Sequence, residues 1–237
     1  MTAESTSPQS TGTGTGTDRL IAEDVLLVLF QPSSGTIAGE NTLFFVLGGA
    51  VLTDLAQQGR VEIQDAGWRG TKISVAGERP GDELLRPAWD YVAEKPRGVQ
   101  SVLAASGPTL RAPLLDRLVE RGDLERTEKR MLGLIPTTAL SEGRSGHRAE
   151  LIAAMRAALV DGEAPTERIA AVTALVSASG GLPVLHSEIP WSSNTATRAK
   201  ALEHGDWAAD AAAVAVTRTM TAVVTNALVA AMVVANR

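Results

Sequence analysis

Apolar residues recur along this chain mostly at spacings that suit helices. Residues 20–30 (LIAEDVLLVLF) form an apolar run that fits helix or strand, and Ala22-Glu23-Asp24 favours a helix start. Pro32, Ser33, Ser34 and Gly35 make 31–40 a loop. Over 43–58, Leu47, Val51, Leu52 and Leu55 share one side of a helix, and Gly59 is its C-terminal stop. Residues 60–64 predict a short strand with Val61 and Ile63 inward, turned at Asp65-Ala66-Gly67 and returned by 71–75. The design recurs. A helix over 111–121 carries Leu114, Leu115, Leu118 and Val119 and stops at Gly122. A strand starts at Leu124, turns at Thr127-Glu128-Lys129 and returns over 130–135.

Between these units, 82–94 predicts a helix with Leu84, Leu85, Ala88, Trp89 and Val92 on its apolar stripe, and 99–105 a shorter one. Helices over 148–160, 165–179, 196–203 and 207–235 complete the chain, with Pro165 at a suitable first-turn position and Gly180-Gly181 as a break. The expected fold is mostly α: a helical-bundle core with surrounding helices and one or two small β-hairpins. One domain is expected over 19–237. Residues 1–18, rich in Thr, Gly and Ser, cannot bury enough surface to offset ordering entropy and read as a disordered tail. That tail has no basic or apolar region of a secretory signal, so the cytoplasm is the expected location.

The last apolar segment raises the question of a membrane span. Arg218 interrupts it, and its charge-free part, 220–235, is shorter than the ~20 residues a spanning helix needs. A helix apolar nearly all round instead belongs in the centre of a bundle. Composition adds limits. The chain has 237 residues, enough for a sizeable core without staples, and no cysteine, which removes disulfides and thiolate chemistry. Its three histidines leave little for a metal site, and none is expected. The net charge of −5 argues against attachment to nucleic acid by overall charge.

No phosphate-binding loop, dinucleotide fingerprint, metalloprotease helix or nucleophile elbow is present, so neither a catalytic residue nor a cofactor is expected. His186-Ser187-Glu188 reads as a surface turn. Glu23-Asp24 and Asp82-Glu83 read as helix N-terminal acids that favour the macrodipole.

Several stretches in order resemble the Golgi phosphoprotein 3-like family. They are Leu20 to Leu27, similar to its opening Glu-x-Leu-Leu-Leu, and Gly49 to Val61, similar to its Leu-x-Glu-Leu-Ala-x-x-Gly-Arg-Leu. Leu118-Val119-Glu120-Arg121-Gly122-Asp123-Leu124 is similar to its Leu-Val-Glu-Lys-Gly-x-Leu. Pro165, Arg168, Ala174-Leu175, Ser177-Ala178-Ser179 and Thr197-Arg198 follow its later pattern. The resemblance implies a bacterial-type member with a bundle core and a protruding hairpin used for oligomerisation and membrane contact. Here that hairpin is 124–135, with Met131, Leu132 and Leu134 as its apolar side chains. The family's eukaryotic members bind phosphatidylinositol-4-phosphate and act as coat adaptors. Their headgroup site, a Trp and three Arg, falls here on Gly39, Gly48, Pro108 and Arg111, so Arg111 alone is carried over as lipid-binding. A guanidinium suits phosphate because its planar fork donates two hydrogen bonds.

The resulting expectation is a non-enzymatic peripheral membrane or adaptor protein that binds a phosphoinositide or other anionic lipid, on the inner face of the membrane. A homo-oligomer through the hairpin, or an unidentified partner protein, is compatible with it. Two alternatives stay open: a protein-interaction module without lipid binding, and a nucleic-acid binder, because helix-then-hairpin units also build winged-helix proteins. Trp68, Arg69 and Lys72 in the first hairpin offer either a membrane edge or a cap on a small core.

Overall fold

The computed structural model describes residues 19–65, 71–131, 135–205 and 212–235. Its helices are α1 (Ile21–Leu29), α2 (Leu43–Gln57), α3 (Arg86–Ala93), α4 (Val99–Ser106), α5 (Arg111–Glu120), α6 (His147–Arg156), α7 (Glu167–Ala178), α8 (Ser193–Glu203) and α9 (Ala212–Ala235). Its strands are β1 (Phe30–Gln31), β2 (Thr36–Ile37), β3 (Val61–Asp65), β4 (Thr71–Val75), β5 (Arg97–Gly98), β6 (Leu124–Met131) and β7 (Ile135–Glu142). The fold is mostly α with small antiparallel sheets, as the apolar periodicity predicts.

The centre is α2, packed by α1, α4, α7 and α9. Two adjacent glycines let its neighbours approach. A Cβ on Gly49 would stand 2.5 Å from Val224 of α9, and one on Gly48 would stand 2.9 Å from the Leu103 carbonyl of α4. Leu47, Val51, Leu52 and Leu55 are fully buried, which makes the stripe read from the sequence the inner face of the helix. Truncating a leucine buried like these costs about 2–5 kcal/mol in a packed core.

Both helix-then-hairpin units form, and they share one stop signal. After α2, Gly59 takes φ +64° and the Arg60 N–H donates to the Leu55 carbonyl at 2.8 Å. After α5, Gly122 takes φ +72° and the Asp123 N–H donates to the Leu118 carbonyl at 2.9 Å. This is the glycine-terminated helix end in which a left-handed residue turns the chain and satisfies an orphan carbonyl. In the first unit β3 pairs with β4, and β5 joins as a third strand. Val61 and Ile73 are buried on the face toward the helices. Trp68 and Arg69 lie outside the described residues.

The second hairpin is longer than its sequence suggested. The expected turn at Thr127-Glu128-Lys129 is strand, paired with Ala139, Thr138 and Thr137, and the ladder runs from Leu124↔Glu142 to Met131↔Ile135. The physical reason is turn chemistry: Thr-Glu-Lys contains none of the Gly, Pro, Asn or Asp that a tight reversal favours, so the pairing runs on through it. Helix starts also differ from expectation: α8, expected from 196, begins at Ser193, where the Ser192 hydroxyl accepts from the Thr195 N–H at 3.1 Å. α3 begins at Arg86, not at residue 82, because Pro87 is tolerated only in a first turn. Pro165 precedes the N-cap of α7, which is Thr166, whose hydroxyl accepts from the Ile169 N–H at 3.3 Å. Among the described residues no helix is long and apolar enough to cross a membrane.

Candidate functional site

Three regions carry the residues that sequence reasoning singled out or missed. The first is the face around Arg111. This residue opens α5, half-exposed, and its guanidinium is paired with Glu40, Nε to Oε1, with a second approach of 3.4 Å between Nη2 and Oε2. A surface pair of this kind contributes little to stability, about 0–1 kcal/mol, but it does neutralise the cation. The other positions that the resemblance aligns with the headgroup site, Gly39, Gly48 and Pro108, carry no side-chain donor. Gly48 is buried in the contact between α2 and α4. Next to Pro108, Gly107 is wedged so tightly that a Cβ would stand 1.9 Å from the Phe44 carbonyl oxygen. The backbone itself therefore occupies the space an arginine at 48 would need. Beside this face a groove of about 900 Å³ runs between the 39–42 loop, α7 and α9, with Glu40, Lys200, Val229 and Val233 on its walls. Its cation is also committed, since Lys200 donates to Glu203 at 2.7 Å.

The second region is the β6–β7 hairpin. Among the described residues, its contacts with the rest of the chain lie at the base. Leu124 is fully buried, Arg126 pairs with Asp116 of α5 at 2.6 Å, and the Leu140 carbonyl lies 2.6 Å from where a Cβ on Gly35 would stand. Gly35 also has φ +71°, so only glycine fits that contact. Beyond the Arg126↔Leu140 rung the ladder continues five rungs to Met131↔Ile135, about 16 Å of strand at ~3.3 Å per residue. Met131 is the last residue of β6; Leu132 and Leu134 lie outside the described residues.

The third region is a buried ionic network that local pattern reading did not find. Glu23 and Asp24 do sit in the first turn of α1, but both are fully buried. Asp24 accepts from Arg168 Nε at 2.5 Å and lies 2.8 Å from His147 Nε2. Arg168 spends its other nitrogens on the carbonyls of Arg19 (2.7 Å) and Leu20 (2.9 Å). Arg19 in turn pairs with buried Asp123. Glu23 accepts from the Leu20 N–H at 2.9 Å and faces Arg121 at 3.5 Å. Burial pushes its carboxyl up against these favourable contacts. Asp54 of α2 caps α1 from outside, accepting from the N–H groups of Ile21 (2.7 Å) and Ala22 (3.2 Å). Complete burial nevertheless pushes the Asp54 carboxyl up to about 8. Asp82 is not a helix N-terminal acid, since α3 starts only at Arg86; it accepts from the Leu84 N–H at 2.8 Å, and Arg117 of α5 grips it with two bonds of 2.6 and 2.8 Å.

The signal for this network was present in the sequence. Charged residues inside otherwise apolar runs, Glu23-Asp24 in α1 and Asp54 in α2, must find partners once buried. Sequence alone does not say which. His186-Ser187-Glu188 is likewise structural in part: Glu188 receives both terminal nitrogens of nearly buried Arg148, at 2.6 and 2.8 Å. Among the described residues no group of His, Asp and Glu is arranged to hold a metal.

Comparison with known proteins bears on the first two regions. No curated protein matches the chain. The family model described as Golgi phosphoprotein 3 (GPP34) matches residues 21–219. That match runs from α1 into α9 and takes in both helix-then-hairpin units and the Arg111 face. The chain belongs to the Golgi phosphoprotein 3 (GPP34) family.

Proposed function

We propose that this protein is a non-enzymatic peripheral membrane adaptor that attaches to anionic bilayers through the tip of the β6–β7 hairpin. The supporting observation is the hairpin: a ladder anchored only at its base among the described contacts and ending in Met-Leu-Gly-Leu-Ile, residues 131–135. Lys129 and Arg130 stand immediately before that apolar tip. Apolar side chains entering the bilayer interface gain ~1.5–3 kcal/mol each when fully buried. Basic residues beside them add about 1 kcal/mol each near an anionic surface. The net charge of −5 opposes binding overall, so attachment has to be local. Arg111 serves this reading only as an auxiliary contact, because it is one cation and Glu40 already neutralises it.

Vesicle flotation tests the proposal. The wild type is expected to float with liposomes carrying anionic lipid and not with neutral ones. Leu132→Ser with Leu134→Ser is expected to weaken binding about tenfold or more, while Arg111→Ala changes it by less than about threefold. Unchanged binding by the double variant, or abolition by Arg111→Ala, would move the lipid contact away from the tip. No flotation with any vesicle would remove the membrane half and leave a protein partner.

A further inference from the structure

The base of the hairpin is gripped from both sides. On the β6 side, the buried carboxylate of Asp123 is held by Arg19. On the β7 side, the Gly143 N–H donates to the Asp123 carbonyl at 2.9 Å and the Ser145 N–H to the Gly122 carbonyl at 3.2 Å. His147, the first residue of α6, follows directly and reaches Asp24 of α1 at 2.8 Å. The two grips converge, because Arg168 of α7 ties Asp24 to the backbone of Arg19 and Leu20. The hairpin base, the start of α6 and the chain entering α1 thus form one polar knot with a single imidazole in it.

We propose that this knot is a proton-dependent latch: a charged His147 clamps the hairpin base to α1 and α7, and its deprotonation loosens the base while Arg168 continues to neutralise Asp24. The proposal concerns the hairpin's mobility and stands whether or not the tip meets a membrane. The groups around His147 bias it in one direction. Asp24 faces it from α1, Glu150 lies 3.6 Å away on its own helix, and Asp123 is a further acid at the hairpin base. The nearby cations, Arg19 and Arg168, are committed to Asp123 and Asp24. From α2, Asp54 adds an acid near Asp24. Next along α6, Arg148 is occupied by Glu188. The hydrogen bond to Asp24 holds the His147 imidazolium above its ordinary range, and partial burial only partly opposes it. A raised value means that the clamp is complete below the ordinary histidine value of about 6.5 and is lost as pH rises through the raised one. The latch is therefore closed in acid and loosened in alkali, within the window where histidine works as a switch.

Hydrogen–deuterium exchange, corrected for the intrinsic pH dependence of the amides, tests it. Between about pH 6 and about pH 8.5, exchange at 122–126 and 140–146 is expected to rise several-fold in the wild type, with the core of α2 unchanged. In His147→Gln, which keeps a donor for Asp24 but cannot take up a proton, most of that rise is expected to disappear, and the remainder follows the buried Asp54 carboxyl, which burial pushes up to about 8. In Arg19→Gln the base is expected to open at every pH and still respond to pH. A pH-invariant base in the wild type, or an undiminished response in His147→Gln, overturns the proposal. Should His147→Gln fail to fold, the imidazole titration of the wild type by NMR decides: titration above the ordinary value supports the latch, and titration at or below it overturns it.

Discussion

Asp24→Ala is expected to destabilise the protein by about 3 kcal/mol, read as a lower urea midpoint at unchanged slope. The change strips the Nε contact from Arg168 and the partner from His147, and it does so where Asp24 is fully buried. Arg168 retains the Arg19 and Leu20 carbonyls, and its side chain keeps some access to water (26% exposed). That access holds the expected loss at the lower end of the range for breaking a buried pair. Asp116→Ala is the control. It removes the same charge from an ion pair with Arg126 that is half-exposed on both sides, and less than about 1 kcal/mol is expected. Equal effects of the two substitutions would mean that the buried network does not hold α1, α6 and α7 together.

Gly48→Arg, which would place an arginine where the family resemblance aligns a headgroup arginine, is expected to destabilise the protein by about 3 kcal/mol and to create no lipid site. The obstacle is backbone. A Cβ at 48 would stand 2.9 Å from the Leu103 carbonyl oxygen and 3.1 Å from the Leu103 Cα, so α4 itself must shift. Gly48→Ala separates the two causes, since it keeps the clash and omits the charge. Most of the loss is expected already in the alanine variant. If alanine is tolerated and arginine confers binding to phosphoinositide vesicles, the headgroup site is latent and not closed.

The helices were legible because their signals are local. The stripe of α2 and the glycine stops at Gly59 and Gly122 lie within a few residues of what they control. The second hairpin was legible too, but its turn was placed too early. Strand length depends on the partner strand, and the continuation of β6 through Thr127–Lys129 is set by pairing with Thr137–Ala139. The pairing within the ionic network was illegible for the same reason on a larger scale. Arg168 meets Asp24 across 144 positions and Arg19 meets Asp123 across 104, and no spacing rule links residues so far apart. A resemblance can carry Arg111 to its place in α5, but only the fold shows Glu40 already paired with it.

The most direct measurement places a reporter at the tip. The chain contains no cysteine, so Leu134→Cys takes one polarity-sensitive thiol dye, and Glu94→Cys, at an exposed position after α3, takes the same dye as a control. With vesicles containing anionic lipid, the emission of the dye at 134 is expected to shift to the blue while the dye at 94 stays unchanged. A dye at 134 that remains in water while the protein floats with the same vesicles would contradict attachment through the hairpin tip.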